Sequence, residues 1–461
     1  TIEGLTVQDS LGWARLESAT HVVLRDNVFL RATATGTTGG VKLVDSSYCR
    51  LEGNRFEDGN DNVVVQHSDY NVVAGNTFVR GRHSLFSLRC GSFNVVRGNR
   101  FENPDQKAAE IYDCEGVSDA PYLLDATKRN LVEGNVFALT LGSDADHRYN
   151  GIQYAGQDGI VRFNVFHDCA GGGLNFQVYP DEALYNYGHR AYRNTFFANA
   201  CHGLAASNDV SDDYHDNFAL GNLLHANTGC AGEAEQLRIG NDVAVVLRDN
   251  AIVDVAPGFV DGTSRDLRLA DGSPMIDAGP WLTRTVGAGS GTSLPVEDAA
   301  YFFDGSGIDG ETGDLVQLEG STERAVAIDV DVPGGRLTLD RALTWTDGQG
   351  AALAFEGAAP DQGAFEHGAP VGPDADADGD GDAGLDADAD AAADASAEAD
   401  ASAEADADAS SEADAGTGDG SDGCGCRAAG SRIPGRGFLF LARLAAAVLV
   451  VGRVSRRRRA R

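Results

Sequence analysis

Arg89, His67 and Lys42 are the residues whose types and spacing suit proton chemistry on an acidic substrate. Counted back from the asparagine that follows each, Lys42 lies twelve positions before Asn54. Gln66 and His67 lie ten and nine before Asn76, and Arg89 lies ten before Asn99. An arginine neutralises a carboxylate and steadies the enolate left when the adjacent proton is removed. A histidine of tuned pKa can take that proton, with Lys42 or Tyr154 as substitutes. Arg89 is thus read as the cation and His67 as the first candidate base. Arg82 and His83 precede the Arg89 strand and would rim the same face. Gln66, Tyr112 and Tyr154 complete a candidate binding strip, with Asp113, His147, Arg148 and Tyr149 farther along. Glu110 with Asp45 or Asp113 would instead be a carboxylate pair for hydrolysis. No residue set reads as a dedicated metal site, and Ca2+ held by acidic side chains is the one cofactor left open. Plain alternatives stand beside each residue: solvated charges for Arg89 and Lys42, a turn-bonding corner for His67, shaft filling for the tyrosines.

The register rests on a repeat. Asparagine, any residue, then a large apolar residue occurs at Asn27, Asn54, Asn76, Asn99, Asn135, Asn164 and Asn194, fading at Asn222 and Asn250. A short apolar alternation precedes each asparagine, and a second apolar strand lies earlier in each unit. Strands this short, split by Gly, Asn, Asp and Ser turns, indicate parallel strands coiled into a solenoid. Asn tolerates a left-handed corner, and stacked Asn amides can bond one another. The Phe two residues later would point into the shaft. Alternation then buries Leu43, Val65 and Leu88 and turns Lys42, Gln66 and Arg89 outward. Coils stack about 4.8 Å apart. An elongated face along a rigid shaft suits an elongated chain such as a polysaccharide. The fold class is therefore all-β, a right-handed parallel β-helix.

Residues of about 2–280 resemble the right-handed β-helix repeat family, as in the phrase from Asn71 to Phe78. Val63–Phe101 resembles the active-site coils of chondroitinase B and alginate lyases, with Leu88-Arg89-Cys90-Gly91 standing where those enzymes carry Leu-Arg-His-Gly. The resemblance implies a polysaccharide lyase acting by β-elimination on uronate-containing glycans, with Arg89 in the catalytic arginine's place. Two departures stand out: Cys90 replaces the histidine, and the expected lysine falls at Gln66-His67. A non-catalytic surface adhesion or structural module is the competing reading.

Charge refines the picture. The chain of 461 residues carries a net charge of −34, a poor match for a phosphate backbone, so nucleic acid is excluded as a partner. The β-helix is assigned to 1–280 and a small inserted β module to 281–359. A closing strand is expected over 360–369, where Pro360–Glu366 pairs with the Asp266–Gly279 phrase. Residues 374–422 hold 18 acidic side chains and no basic one, reading as a disordered linker. Cys424-Gly425-Cys426, an apolar run over 438–452 and Arg456–Arg459 resemble the MYXO-CTERM signal of myxobacterial exported proteins. That resemblance implies export, a short membrane segment, a sorting protease as partner and display at the cell surface. Export would permit a disulfide among Cys169, Cys201 and Cys230.

Overall fold

Each recurring asparagine closes a corner between two short strands. A computed structural model of the chain describes residues 1–33, 40–112, 127–141, 150–178, 186–208, 214–229, 236–240 and 244–369, with strand backbone at 447–450 and 453–456. No α-helix occurs among the described residues. Three strands per coil build three faces of a right-handed parallel β-helix, the handedness that parallel crossovers adopt. The first sheet contains ten strands preceding the asparagines, from Ile2–Glu3 to Val245–Arg248. The second contains the strands after them, and the third the strands Ala14–Glu17, Val41–Val44, the later part of Arg55–Gln66, the later part of Thr77–Arg89, Lys107–Tyr112 and their successors.

The left-handed bend lies one residue before each asparagine. Asp26, Gly53, Gly75, Gly98, Gly134, Phe163, Arg193, Gly221 and Asp249 all have φ between 50° and 63°. The asparagine itself does different work. The backbone N–H and Nδ2 of each donate to Oδ1 of the next, from Asn27 through Asn250, at 2.8–3.1 Å. A second ladder, Asn71–Asn94–Asn130, follows the third-sheet strands. Inside the shaft, Phe29, Phe56, Phe78, Phe101, Phe137, Phe166 and Phe196 stack with centroids 4.5–5.1 Å apart. Burying each ring stabilises the shaft by about 1.5–3 kcal/mol.

The module docks on the first sheet. Its six antiparallel strands lie between Thr283 and Leu353. Val72, Val95, Leu131 and Ile160, outward on the first sheet, pack into one cluster with Tyr301, Phe302, Phe303 and Ile308. Ion pairs fix the seam: Glu311 holds Arg50 at 2.9 Å and Arg97 at 2.6 Å, and Asp314 holds the buried Arg162 at 2.6 Å. Segment 360–369 is not the closing strand expected: it carries no strand. Gln362 Nε2 instead donates to the carbonyls of Asn222 and Asp249, and Glu366 pairs with Arg193. The antiparallel pair Phe259–Asp261 and Asp266–Leu269 lies against the second sheet, where Phe259 meets Phe197 and Arg265 grips Asp168 at 2.6 Å.

The acidic tract 370–422 and the cysteine motif lie outside the described residues. Of the expected membrane segment, Ala447–Val450 is strand, and with Arg453–Arg456 it pairs antiparallel with Ala14–Glu17 and Leu5–Gln8. Among the described residues no helix is long and apolar enough to cross a membrane. Cys90 and Cys201 are oxidised into disulfides, whereas Cys49 and Cys169 are buried thiols.

The asparagine ladder generates a stability prediction. Asn99 accepts both amide donors of Asn76 and donates to Val73 and Asn135. Asn99→Ala strands those buried groups and should cost about 2–4 kcal/mol in urea denaturation. Asn250→Ala, at the half-buried last rung, should cost well under half as much.

Candidate functional site

Two sheets are partly clad, the first by the module and the second by 259–269 and 360–366. Neither addition touches the third sheet among the described residues. Its register matches the expected one over the first coils. Lys42 faces Val64 and then Ser87, Leu43 faces Val65 and then Leu88, and Val44 faces Gln66, then Arg89, then Tyr112. Lys42 and Arg89 therefore occupy adjacent outward files two coils apart. The Arg89 guanidinium lies over the Tyr112 ring, 4.6 Å from its centre. Among the described residues neither cation forms an ion pair with a carboxylate. Partial burial, reinforced by the Arg15 and Arg89 charges, pulls the Lys42 ammonium below the usual lysine range.

A polar cluster sits beside them. Register pairs Asp61 with Ser84 and Ser84 with Lys107, across three successive coils. Leu85 and Phe86 both join the core, next to a register shift between Gly81 and Ser84. That irregularity leaves Ser84 and Ser87 both outward. His83 Nδ1 meets Asp61 Oδ1 at 2.8 Å and lies 4.0 Å from Glu110 Oε2. Ser84 Oγ donates to Glu110 Oε2 at 2.8 Å, and Lys107 Nζ pairs with Glu110 Oε1. The Asp61 hydrogen bond holds His83 above the usual histidine range, against the pull of burial. Burial opposes charge on Glu110, but Lys107 and His83 outweigh it and keep its carboxyl below the usual range. Both carboxylates are thus engaged by His83, Ser84 and Lys107. Among the described residues no group of three or more His, Cys, Asp or Glu is placed to hold a metal ion.

Lys42, Gln66, Arg89 and Tyr112 share the expected face, with His83 half-exposed on the same strand as Arg89 and Arg82 exposed beside it. Two expectations need correcting. His67 leaves the strand for a corner with φ 48°, its N–H bonded to the Arg89 carbonyl and its Nδ1 enclosed, which removes it as the first-choice base. Tyr154 follows Ile111 in the inward file and is fully buried against Phe176 and His189. Tyr154 lies ten residues before Asn164, the count that is outward at Gln66 and Arg89, but its turn is one residue shorter than theirs and the parity reverses. Asp113, His147, Arg148 and Tyr149 lie outside the described residues. Sequence reasoning missed Asp61, Ser84 and Lys107 as partners. Asp61 and Ser84 stand at equal distances, fifteen residues, before Asn76 and Asn99, so the signal was present.

The His83–Asp61 pair sets a pH response. A histidine with a raised folded-state pKa contributes stability below its unfolded value, near 6.5, and loses it as pH rises through the folded value. The wild-type melting temperature should therefore fall relative to His83→Gln as pH rises from about 6 upward. A flat difference between the two proteins across that range would refute the pairing.

Comparisons with known proteins agree on the fold. The sequence profile described as a right handed beta helix region matches residues 1–123. No curated protein matches the chain. Among solved structures, a periplasmic alginate epimerase is similar at 13% identity and a TM-score of 0.35, over 50% of this chain and 60% of the epimerase. A pectate lyase is similar at 11% identity and a TM-score of 0.34, over 74% of this chain and 88% of the lyase. A tailspike protein of an Acinetobacter baumannii bacteriophage, a capsular polysaccharide depolymerase, is similar at 11% identity and a TM-score of 0.27, over 74% and 69%. The chain thus spans less than two thirds of the epimerase.

Proposed function

We propose that the third sheet engages an acidic polysaccharide, and that the finer activity is β-elimination at a uronate. One observation carries the reading. Lys42 and Arg89 are partly buried cations that form no ion pair with a carboxylate among the described residues, in a chain whose net charge is −34. Lys42 and Lys107 are two of the chain's three lysines, and both sit on this face. Holding unpaired cations together costs electrostatic energy that an anionic ligand would offset.

Arg89 is the group for the uronate carboxylate, where it neutralises charge as the enolate develops. Lys42, with its lowered pKa, is the proton acceptor, replacing His67 in that role. His83, whose charged form the Asp61 hydrogen bond favours, is the donor to the departing glycosidic oxygen. The C5–H and C4–O bonds break and a C4–C5 double bond forms. Gln66, Arg82 and Tyr112 are the flanking glycan contacts. The non-catalytic alternative, an adhesive or structural surface, draws support from the full engagement of Asp61 and Glu110. The disulfides at Cys90 and Cys201 support export, since such bonds persist in oxidising compartments. Display at the cell surface after C-terminal processing completes the proposal.

In affinity electrophoresis the chain should be retarded by alginate, chondroitin or pectate and not by a neutral glucan. Arg89→Ala should weaken that retention about 10- to 100-fold, the worth of one charge-assisted hydrogen bond. Lys42→Ala should remove the ultraviolet-absorbing unsaturated product while retaining most of the binding. Retention without product would leave the adhesive reading, and no retention on any acidic glycan would overturn both.

A further inference from the structure

The last coil breaks a rule that every earlier coil obeys. Ala206, Ala219 and Leu224 are the inward residues of their coils and are buried. The next residues in the same three files are Ile239, Leu247 and Ile252. Leu247 is 44% exposed and Ile252 52% exposed. Strands Leu237–Ile239, Val245–Arg248 and Ala251–Val253 are also the terminal members of their three sheets. The chain then turns away: Phe259–Leu269 runs back along the second sheet rather than beneath the final coil. Among the described residues the shaft end therefore presents apolar core residues ringed by three strand edges with no paired strand, with Val255 80% exposed beside them. Solenoid ends need a cap, and open edges recruit strands.

We infer that this end is an interface that pairs with the same end of a second copy of the chain. The occupant must offer an apolar centre and three strand edges at the spacing of the shaft, and an identical end offers both. A two-fold axis perpendicular to the shaft reverses strand direction, so facing edges meet antiparallel. One edge strand meets its own copy and the other two exchange partners. Charge permits it. The described charges of the final coil are Arg238, Arg248, Asp249 and Asp254, two of each sign, in a strongly acidic chain. Copies meeting here avoid the repulsion that the rest of the surface imposes. The contact is confined to the end of one coil, so association is weak and reversible. This inference is independent of the glycan reading.

Sedimentation of the full chain from about 1 µM to about 1 mM should show a monomer–dimer equilibrium, with Kd on the order of 10–500 µM. Ile252→Lys and Leu247→Lys, both at exposed positions, should each weaken the dimer at least about tenfold, while Leu315→Lys on the module leaves it unchanged. In the unaltered chain, amide exchange over 245–253 should slow as concentration rises. A monomer throughout the range overturns the inference. So does a dimer indifferent to both end substitutions, or association that continues past two copies.

Discussion

A buried asparagine amide bonded to its counterpart one coil away is the interaction on which this structure depends. A solenoid of short strands must turn its backbone sharply three times per coil, and each turn interrupts the ladder of main-chain bonds. Interior N–H groups left without acceptors would oppose folding at every turn. The side-chain Oδ1 of Asn54 supplies that acceptor to Asn27, and the same exchange repeats to Asn250. The preceding residue absorbs the left-handed bend, by glycine in five of nine coils and by Phe163 or Arg193 where the ladder and neighbouring strands hold it. Because these bonds set each coil above the last, they also set the register of every outward side chain.

Register turns distant residues into neighbours. Lys42, Gln66 and Arg89 belong to three coils, yet the pairing of their strands puts them on one face. The Asp61–His83–Glu110 group arises the same way, aided by a local irregularity that lets Leu85 and Phe86 both enter the core. Among the described residues the module and the segments after the shaft clad the other two sheets and not the third. At the shaft end the same logic runs out: file members that are core elsewhere become surface.

Much of this was legible in the residues. The Asn-x-Phe spacing predicts the coil, and counting back from the asparagines places Lys42, Leu43, Val65, Leu88 and Arg89 correctly while the coils are 22–27 residues long. Past Asn99 the coil lengthens to 36 residues. Tyr154, ten residues before Asn164, counts as outward, but its turn is one residue shorter than those of the first coils and it enters the inward file beside Phe176 and His189. For His67 the residues allowed both an outward face position and a turn-bonding corner, and the left-handed bend at φ 48° decides for the corner.

The sequence alone determined the all-β coil, the inward files and the acidic body carrying a small set of cations, because periodicity and composition are local properties of the chain. Only the tertiary structure decided which cations lack a partner, that Asp61 and Glu110 are committed to His83, Ser84 and Lys107, that the module clads the first sheet, and that the shaft ends open. Those outcomes depend on which groups meet across coils or across 150 residues of chain, as Arg162 meets Asp314. Pairing and burial at that range follow from how the coils stack, and spacing along the chain carries only a part of them, as in the equal offsets of Asp61 and Ser84.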